Sequence, residues 1–249
     1  MRRHFVRTRR RIGLVVPFDL AQDREYWQYV DDDVSVHITR TDYHDGPTGL
    51  ALVELVSDEE EVVRGTRSLI KIEPDVVGYA CTSGSFIDGL RGERRLRTAI
   101  LGAGAPKAVT TSGALLVALA ALGITRVALG TPYVDSLAQR LESFVTEGGF
   151  QPVSLVNLEV AEGIWEVGDD KVVRLAEAAM RPGAEAVFIS CTNLSAIDAI
   201  APLEARLGVP VLTANQVTMW AALRAAGGQP NPRVLDQALF RRTAASVAA

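Results

Sequence analysis

Three segments of the chain recur in order further along it, and this duplication constrains the fold more than any other feature. RIGLVVPFDL (Arg11–Leu20) resembles RVALGTPYVDSL (Arg126–Leu137). VVGYACTSGSFID (Val76–Asp88) resembles AVFISCTNLSAID (Ala186–Asp198), and GAPKAVTTSGALLVALAALG (Gly104–Gly123) resembles GVPVLTANQVTMWAALRAAG (Gly208–Gly227). The first residues of the pairs lie 115, 110 and 104 positions apart. That period is too long for a solenoid and suits a small α/β lobe. Within each half, short apolar β-rich runs alternate with helical stretches, the pattern of parallel sheets covered by helices. The predicted fold class is α/β: two similar lobes with parallel sheets flanked by helices, related by a pseudo-two-fold axis, with the active site in the inter-lobe cleft. Residues 1–112 plus 216–249 are expected to form the first lobe and 113–215 the second, the last helix crossing back to complete the first.

Local patterns place the elements. Apolar runs predict strands that lead into Cys81 and Cys191, and the acids of Asp58–Glu61 read as a helix N-terminal face. Ser57 and Ser112 are the expected caps of the helices that follow them. Asn215 reads as a cap of the last long helix rather than a cleft residue, and a helix is expected from Leu194. His37 and His44 read as surface or loop histidines, Trp165 and Trp220 as packing residues. The segment after Gly227 reads as a Pro- and Gly-rich tail, short and polar at its end.

A content of 48% hydrophobic and 22% charged residues excludes disorder. A net charge of −4 argues against nucleic-acid binding as the main activity. The most apolar stretch, Gly113–Leu122, is too short to span a bilayer. The basic start MRRHFVRTRRR is followed by a strand-sized run and Asp19, which does not make a secretory signal. With only Phe5 interleaved, it reads as a solvated arm rather than a phosphate-binding tail. An intracellular, cytoplasmic protein with no nucleic-acid or membrane partner is expected.

The chain has two cysteines and three histidines, too few for a disulfide scaffold or a structural zinc site. Both cysteines fall at matching places in the repeat, Cys81 in ACTSGS and Cys191 in SCTNLS, each where an apolar strand turns into a helix. Ligands of open parallel sheets sit outside such strand ends. Free N–H groups there lower a thiol pKa and bind a carboxylate or enolate. The hydroxyls of Thr82, Ser83 and Ser85 add donors, and Gly84 permits a tight turn. Two thiols on opposite faces of one carbon make a two-base pair: one removes a proton or adds as nucleophile, the other serves the far face. The alternative is two buried space-filling cysteines, but their equivalence in the repeat favours chemistry. No metal, flavin or pyridoxal site and no GxGxxG or P-loop pattern is evident, so no cofactor is expected.

The paired Cys-Thr loops, the RIGLVVP start and TPYVDSL resemble the aspartate/glutamate racemase superfamily, most of all maleate cis-trans isomerases and arylmalonate decarboxylases. The resemblance covers about residues 11–228. It implies that Cys81 is the nucleophile that adds to a double bond and that Cys191 handles the proton on the opposite side. It further implies that Thr82 and Ser83 bind a substrate carboxylate and that Tyr133 hydrogen-bonds the same region. The N–H groups around Thr192 are expected to stabilise enediolate-like charge. The decarboxylases carry glycine in place of the first cysteine, so two cysteines favour isomerase or racemase chemistry. This chain departs from the isomerases where PFDL replaces their PSSNT, putting Phe18 and Asp19 in place of polar donors, and where no Asn occurs around Gly163–Trp165. One carboxylate is therefore expected to be held firmly, with an apolar or basic group at the other end.

The expected function is that of a cofactor-independent isomerase acting on a small carboxylate, maleate cis-trans isomerase-like, as a homo-oligomer. An amino-acid racemase, an arylmalonate-type decarboxylase and a non-catalytic small-carboxylate binder are the alternatives.

Overall fold

The computed structural model describes residues 9–46 and 49–243, so residues 1–8 of the basic arm lie outside the described residues. The fold is α/β, with two four-stranded parallel sheets. The first holds β1 (Arg10–Val16), β2 (Val34–Arg40), β3 (Val76–Tyr79) and β4 (Ala108–Thr110) in the order β2-β1-β3-β4. The second holds β5 (Arg126–Thr131), β6 (Gln151–Asn157), β7 (Ala186–Ile189) and β8 (Val211–Thr213) in the order β6-β5-β7-β8. The repeat is thus a repeat of topology. Inner strands are covered on both faces, which is why β1, β3, β5 and β7 are near-continuous apolar runs, every residue of β3 and β7 being buried. The edge strand β6 is only half-buried.

Helices cover the sheets: α1 (Asp23–Gln28), α2 (Leu50–Val56), α3 (Glu59–Ile70), α4 (Thr82–Phe86), α5 (Gly89–Gly102), α6 (Thr111–Ala121), α7 (Asp135–Glu147), α8 (Asp169–Ala179), α9 (Ile197–Leu207), α10 (Ala214–Ala226) and α11 (Ala238–Thr243). α10 leaves β8 and lies on β1, β3 and β4, while α6 lies on α10, α4 and β4. Thr111 and Thr218 join α6 to α10 through their hydroxyls at 2.8 Å. One apolar cluster runs through both halves.

Several local expectations are corrected. α3 is capped by Asp58, whose carboxylate accepts the Glu60 N–H, and not by Ser57. Thr110 and Thr213 cap α6 and α10, accepting from the N–H groups of Gly113 and Gln216. The two threonines are the last residues of equivalent strands, with extended backbones that aim the hydroxyl at the N3 N–H. Ser112 and Asn215 therefore lie inside the first turn and are free for other bonds. α1 and α2 are additional elements. The tail is folded: Val234 and Leu239 are fully buried and Phe240 stacks on Tyr29 at 6.1 Å. These few apolar residues are anchored by tertiary packing that no local pattern announces. Among the described residues no helix is long and apolar enough to cross a membrane.

Candidate active site

The carboxyl ends of the inner strands of both sheets open into one cavity. After β3 come Cys81, Thr82 and Ser83; after β7 come Cys191, Thr192 and Asn193; Tyr133 follows β5. Pro17, Phe18 and Asp19 enter after β1, and Leu52, Val53 and Val56 of α2 with Ile164 form an apolar wall. All six residues expected from the sequence to form the site, Cys81, Thr82, Ser83, Tyr133, Cys191 and Thr192, line it. The cavity is about 40 Å³, room for a few water molecules at most. A groove of about 310 Å³ adjoins it, sharing Phe18, Asp19 and Leu52 and bounded also by Tyr43, His44 and Trp165.

The two cysteine loops are equivalent in sequence but not in shape. Cys81 has an extended backbone and is the N-cap of α4, its Sγ accepting the Gly84 N–H at 3.3 Å. Gly84 is obligatory there, since a Cβ would stand 2.2 Å from the Tyr79 hydroxyl oxygen. That hydroxyl donates to the Val56 carbonyl at 2.7 Å and so fastens α2 over the cavity. Ser85 does not face a ligand: it donates to the Cys81 carbonyl (2.7 Å), and Ser112 donates to the Thr82 carbonyl (2.9 Å).

Cys191 instead has φ +94°, the left-handed region that disfavours a residue with a Cβ. Such a conformation costs on the order of 1–3 kcal/mol and persists only where surroundings impose it. The chain then runs through a turn, and α9 begins at Ile197 rather than near Leu194. Asn193 ties this loop to the segment after β1, accepting the Ala21 N–H at 2.8 Å and donating to the Asp19 carbonyl at 3.2 Å. Its amide is committed to backbone groups. Asn215 donates to the Thr192 carbonyl at 3.1 Å, so it buttresses the loop where a helix cap was expected.

At a strand end, Thr82 Oγ1 is buried without a hydrogen-bond partner. Unpaired buried hydroxyls are costly, and Thr82 presents one beside the first thiol. The Tyr133 phenol interacts with Cys191 and Ser190, and its ring meets Phe86 edge-on at 6.0 Å.

The thiols are not activated in the way the loop sequences suggest. Burial pushes Cys81 up, and the Gly84 N–H only partly offsets it. Burial likewise pushes Cys191 up to about 12, against the pull of the Asn193 N–H and Tyr133, with Cys81 and Asp19 adding to the rise. The expectation of lowered pKa values counted N–H donors but not the apolar wall from α2, which removes water from the sulfurs. Asp19 is itself raised by burial, its own backbone and Arg40 pulling the other way. Arg40 is held by Asp23 at 2.8 Å and by the Leu20 carbonyl at 2.8 Å. Among the described residues no Lys, Arg or His lines the cavity, so a carboxylate there would rest on N–H groups and hydroxyls.

Sequence reasoning missed Asn193, the α2 wall, Ile164 and the buried acid Glu25. Asn193 stands two residues after Cys191, and Leu52, Val53 and Val56 have helical spacing, so both carried a faint signal. Glu25 carried none.

The sequence profile of the family described as arylmalonate decarboxylase matches residues 43–238. The chain belongs to that family. The matched stretch includes both cysteine loops and begins after Phe18 and Asp19. An arylmalonate decarboxylase of Bordetella bronchiseptica is 37% identical over 180 residues, covering 70% of this chain and 74% of the relative. A maleate isomerase of Nocardia farcinica is 30% identical over 230 residues, covering 86% of this chain and 89% of the relative. The solved structure of a mutant Nocardia farcinica maleate cis-trans isomerase with a covalently bound succinylcysteine intermediate superposes with a TM-score of 0.78. It is 25% identical and the match covers 88% of this chain and 93% of that one. The family match and both relatives agree with the α/β fold and the superfamily resemblance drawn from the cysteine loops.

Proposed function

We propose that this family member is a cofactor-independent isomerase of a small unsaturated carboxylate that works through Cys81 and Cys191. The observation that carries the reading is that thiols from equivalent strand ends of the two sheets line one cavity. Cys81, as thiolate, adds to one carbon of the double bond, and Cys191 gives its proton to the other. The former double bond is then a single bond and turns. Cys191 takes a proton back from that carbon, the C–S bond breaks, and the trans product leaves with Cys81 restored. A raised Cys191 pKa keeps the proton available for the first step. Cys81 is the thiol that ionises in this reading, and the Gly84 N–H on its sulfur offsets part of the rise that burial imposes on it. Thr82, Ser83, Tyr133 and the N–H groups around Thr192 hold the substrate carboxylate and the charge that develops on it.

Asp19 and the wall of Phe18, Leu52, Val53, Val56 and Ile164 favour a substrate with one carboxylate and an apolar or cationic far end. A second reading, decarboxylation of a disubstituted malonate, draws on the same apolar wall and on the 37% identical decarboxylase. The glycine that the resemblance associates with decarboxylation is Cys81 here. Proton NMR of maleate and of unsaturated monocarboxylates incubated with the protein separates these readings. Conversion that is lost in Cys81→Ala and in Cys191→Ala supports the isomerase. Near-native conversion in either variant overturns it, and CO₂ release from a disubstituted malonate supports the second reading.

The same reading takes the protein to be a cytoplasmic homo-oligomer, which light scattering tests for assembly. It keeps the division into residues 1–112 with 216–249 and 113–215, supported by the seat of α10 on β1, β3 and β4.

A further inference from the structure

Behind the second cysteine loop, on α1, stands an acid that reaches neither the cavity nor solvent. Glu25 is 3% exposed. Its Oε2 accepts the Ala196 N–H at 3.2 Å, its Oε1 the Tyr29 hydroxyl at 3.4 Å, and the Asn215 amide is its third neighbour. Asn215 in turn donates Nδ2 to the Thr192 carbonyl, while its Oδ1 is buried without a partner. Glu25 thus grips the loop at both ends, at Ala196 directly and at Thr192 through Asn215, with the left-handed Cys191 beside the second grip. Around it stand Asp23 and Tyr26 on α1, Tyr29 just after it and Asp198 on α9; Asp198 pairs with Arg233 at 2.5 Å and Asp23 with Arg40.

We propose that Glu25 is a positioning residue for Cys191: its ionised carboxylate turns the Asn215 amide so that Nδ2 holds the Thr192 carbonyl, and the loop keeps the backbone that aims the second thiol. The functional importance of this rests on the reading of Cys191 as a working thiol. An ionised carboxylate only accepts hydrogen bonds, so it orients the amide with Nδ2 inward. A protonated Glu25 becomes a donor, and the unpaired Asn215 Oδ1 is the acceptor at hand. Turning Oδ1 inward withdraws Nδ2 from the Thr192 carbonyl, and the loop loses one of its two grips. Burial is the main cause that pushes the Glu25 carboxyl up to about 7, so the exchange falls in the neutral range, where an ordinary glutamate would already be ionised.

The test reads each thiol separately. Alkylation by iodoacetamide is followed by peptide mass spectrometry, for Cys81 and Cys191 in the same sample, through the Glu25 transition. Corrected for thiolate fraction, Cys191 is expected to react faster below the transition than above it, and Cys81 is expected to show no such step. Glu25→Gln, which does not ionise, should lose the Cys191 step; Asn215→Ala should lose it too, while Glu25 still titrates. Should Glu25→Gln fail to fold, Asn215→Ala decides the matter alone. A Cys191 step that survives in the folded variants, or a step shared equally by both thiols, overturns the proposal. Alkylation needs no substrate, so a failure of the isomerase reading would show in the turnover assay and leave this result standing.

Discussion

Replacing Thr82 by valine should make the protein more stable and a worse catalyst. Thr82 is fully buried and its Oγ1 has no hydrogen-bond partner. A buried, unsatisfied hydroxyl costs about 1–3 kcal/mol. Valine fills nearly the same outline with a methyl group, so the substrate-free protein should gain about 1 kcal/mol, which raises Tm by about 2–4 °C for a chain of this size. In the proposed function the partner of this hydroxyl is the substrate carboxylate. A hydrogen bond to a charged group is worth about 1.5–3 kcal/mol, so kcat/KM should fall roughly ten- to a hundredfold. Differential scanning calorimetry and initial rates measure the two effects, and Thr82→Ser, which keeps the hydroxyl, should retain most of the activity. A Tm that drops in Thr82→Val, or an unchanged kcat/KM, would refute the idea that this hydroxyl is held in reserve for a ligand.

Asp19→Asn should move the alkylation inflections of both thiols to lower pH, because the Asp19 charge adds to the rise that burial imposes on each; inflections that stay put or rise would contradict this. The same change should lower KM for dicarboxylates relative to monocarboxylates in rate measurements, by removing an anion from the far end of the cavity. Gly84→Ala should cost about 1–3 kcal/mol by overpacking, since its Cβ would displace the Tyr79 hydroxyl from the Val56 carbonyl. Proteolysis within residues 50–56 should quicken accordingly, and an unchanged cleavage rate would show that Tyr79 does not fasten α2.

The sheets and their common topology were legible because buried parallel strands must be apolar on both faces, and because the chain states the pattern twice. The meeting of Cys81 and Cys191 followed from the same duplication. What the duplication could not convey is where the halves differ. Cys81 caps a helix, whereas Cys191 adopts a left-handed backbone in a loop that is hydrogen-bonded by Asn193, Asn215 and Glu25, which lie 2 to 166 positions from it. The caps were misplaced from Thr110 to Ser112 and from Thr213 to Asn215 because capping depends on strand-end backbone geometry as well as residue type. The thiol pKa values were expected in the wrong direction for a similar reason. Loop N–H groups are local and visible, but the desolvating wall of Leu52, Val53 and Val56 arrives from a helix some 25 residues before Cys81.

The central claim is that two thiols act on one substrate, Cys81 by addition and Cys191 by proton transfer. Intact-mass and peptide mass spectrometry of Cys191→Ser, incubated with the unsaturated carboxylate the protein converts, tests it most directly. In this variant the serine hydroxyl, replenished from water, can still give a proton to the second carbon but is no base to take it back, so an adduct of one substrate mass should accumulate on Cys81, and Cys81→Ser should carry none. Full turnover by Cys191→Ser with no adduct on Cys81 would contradict the account.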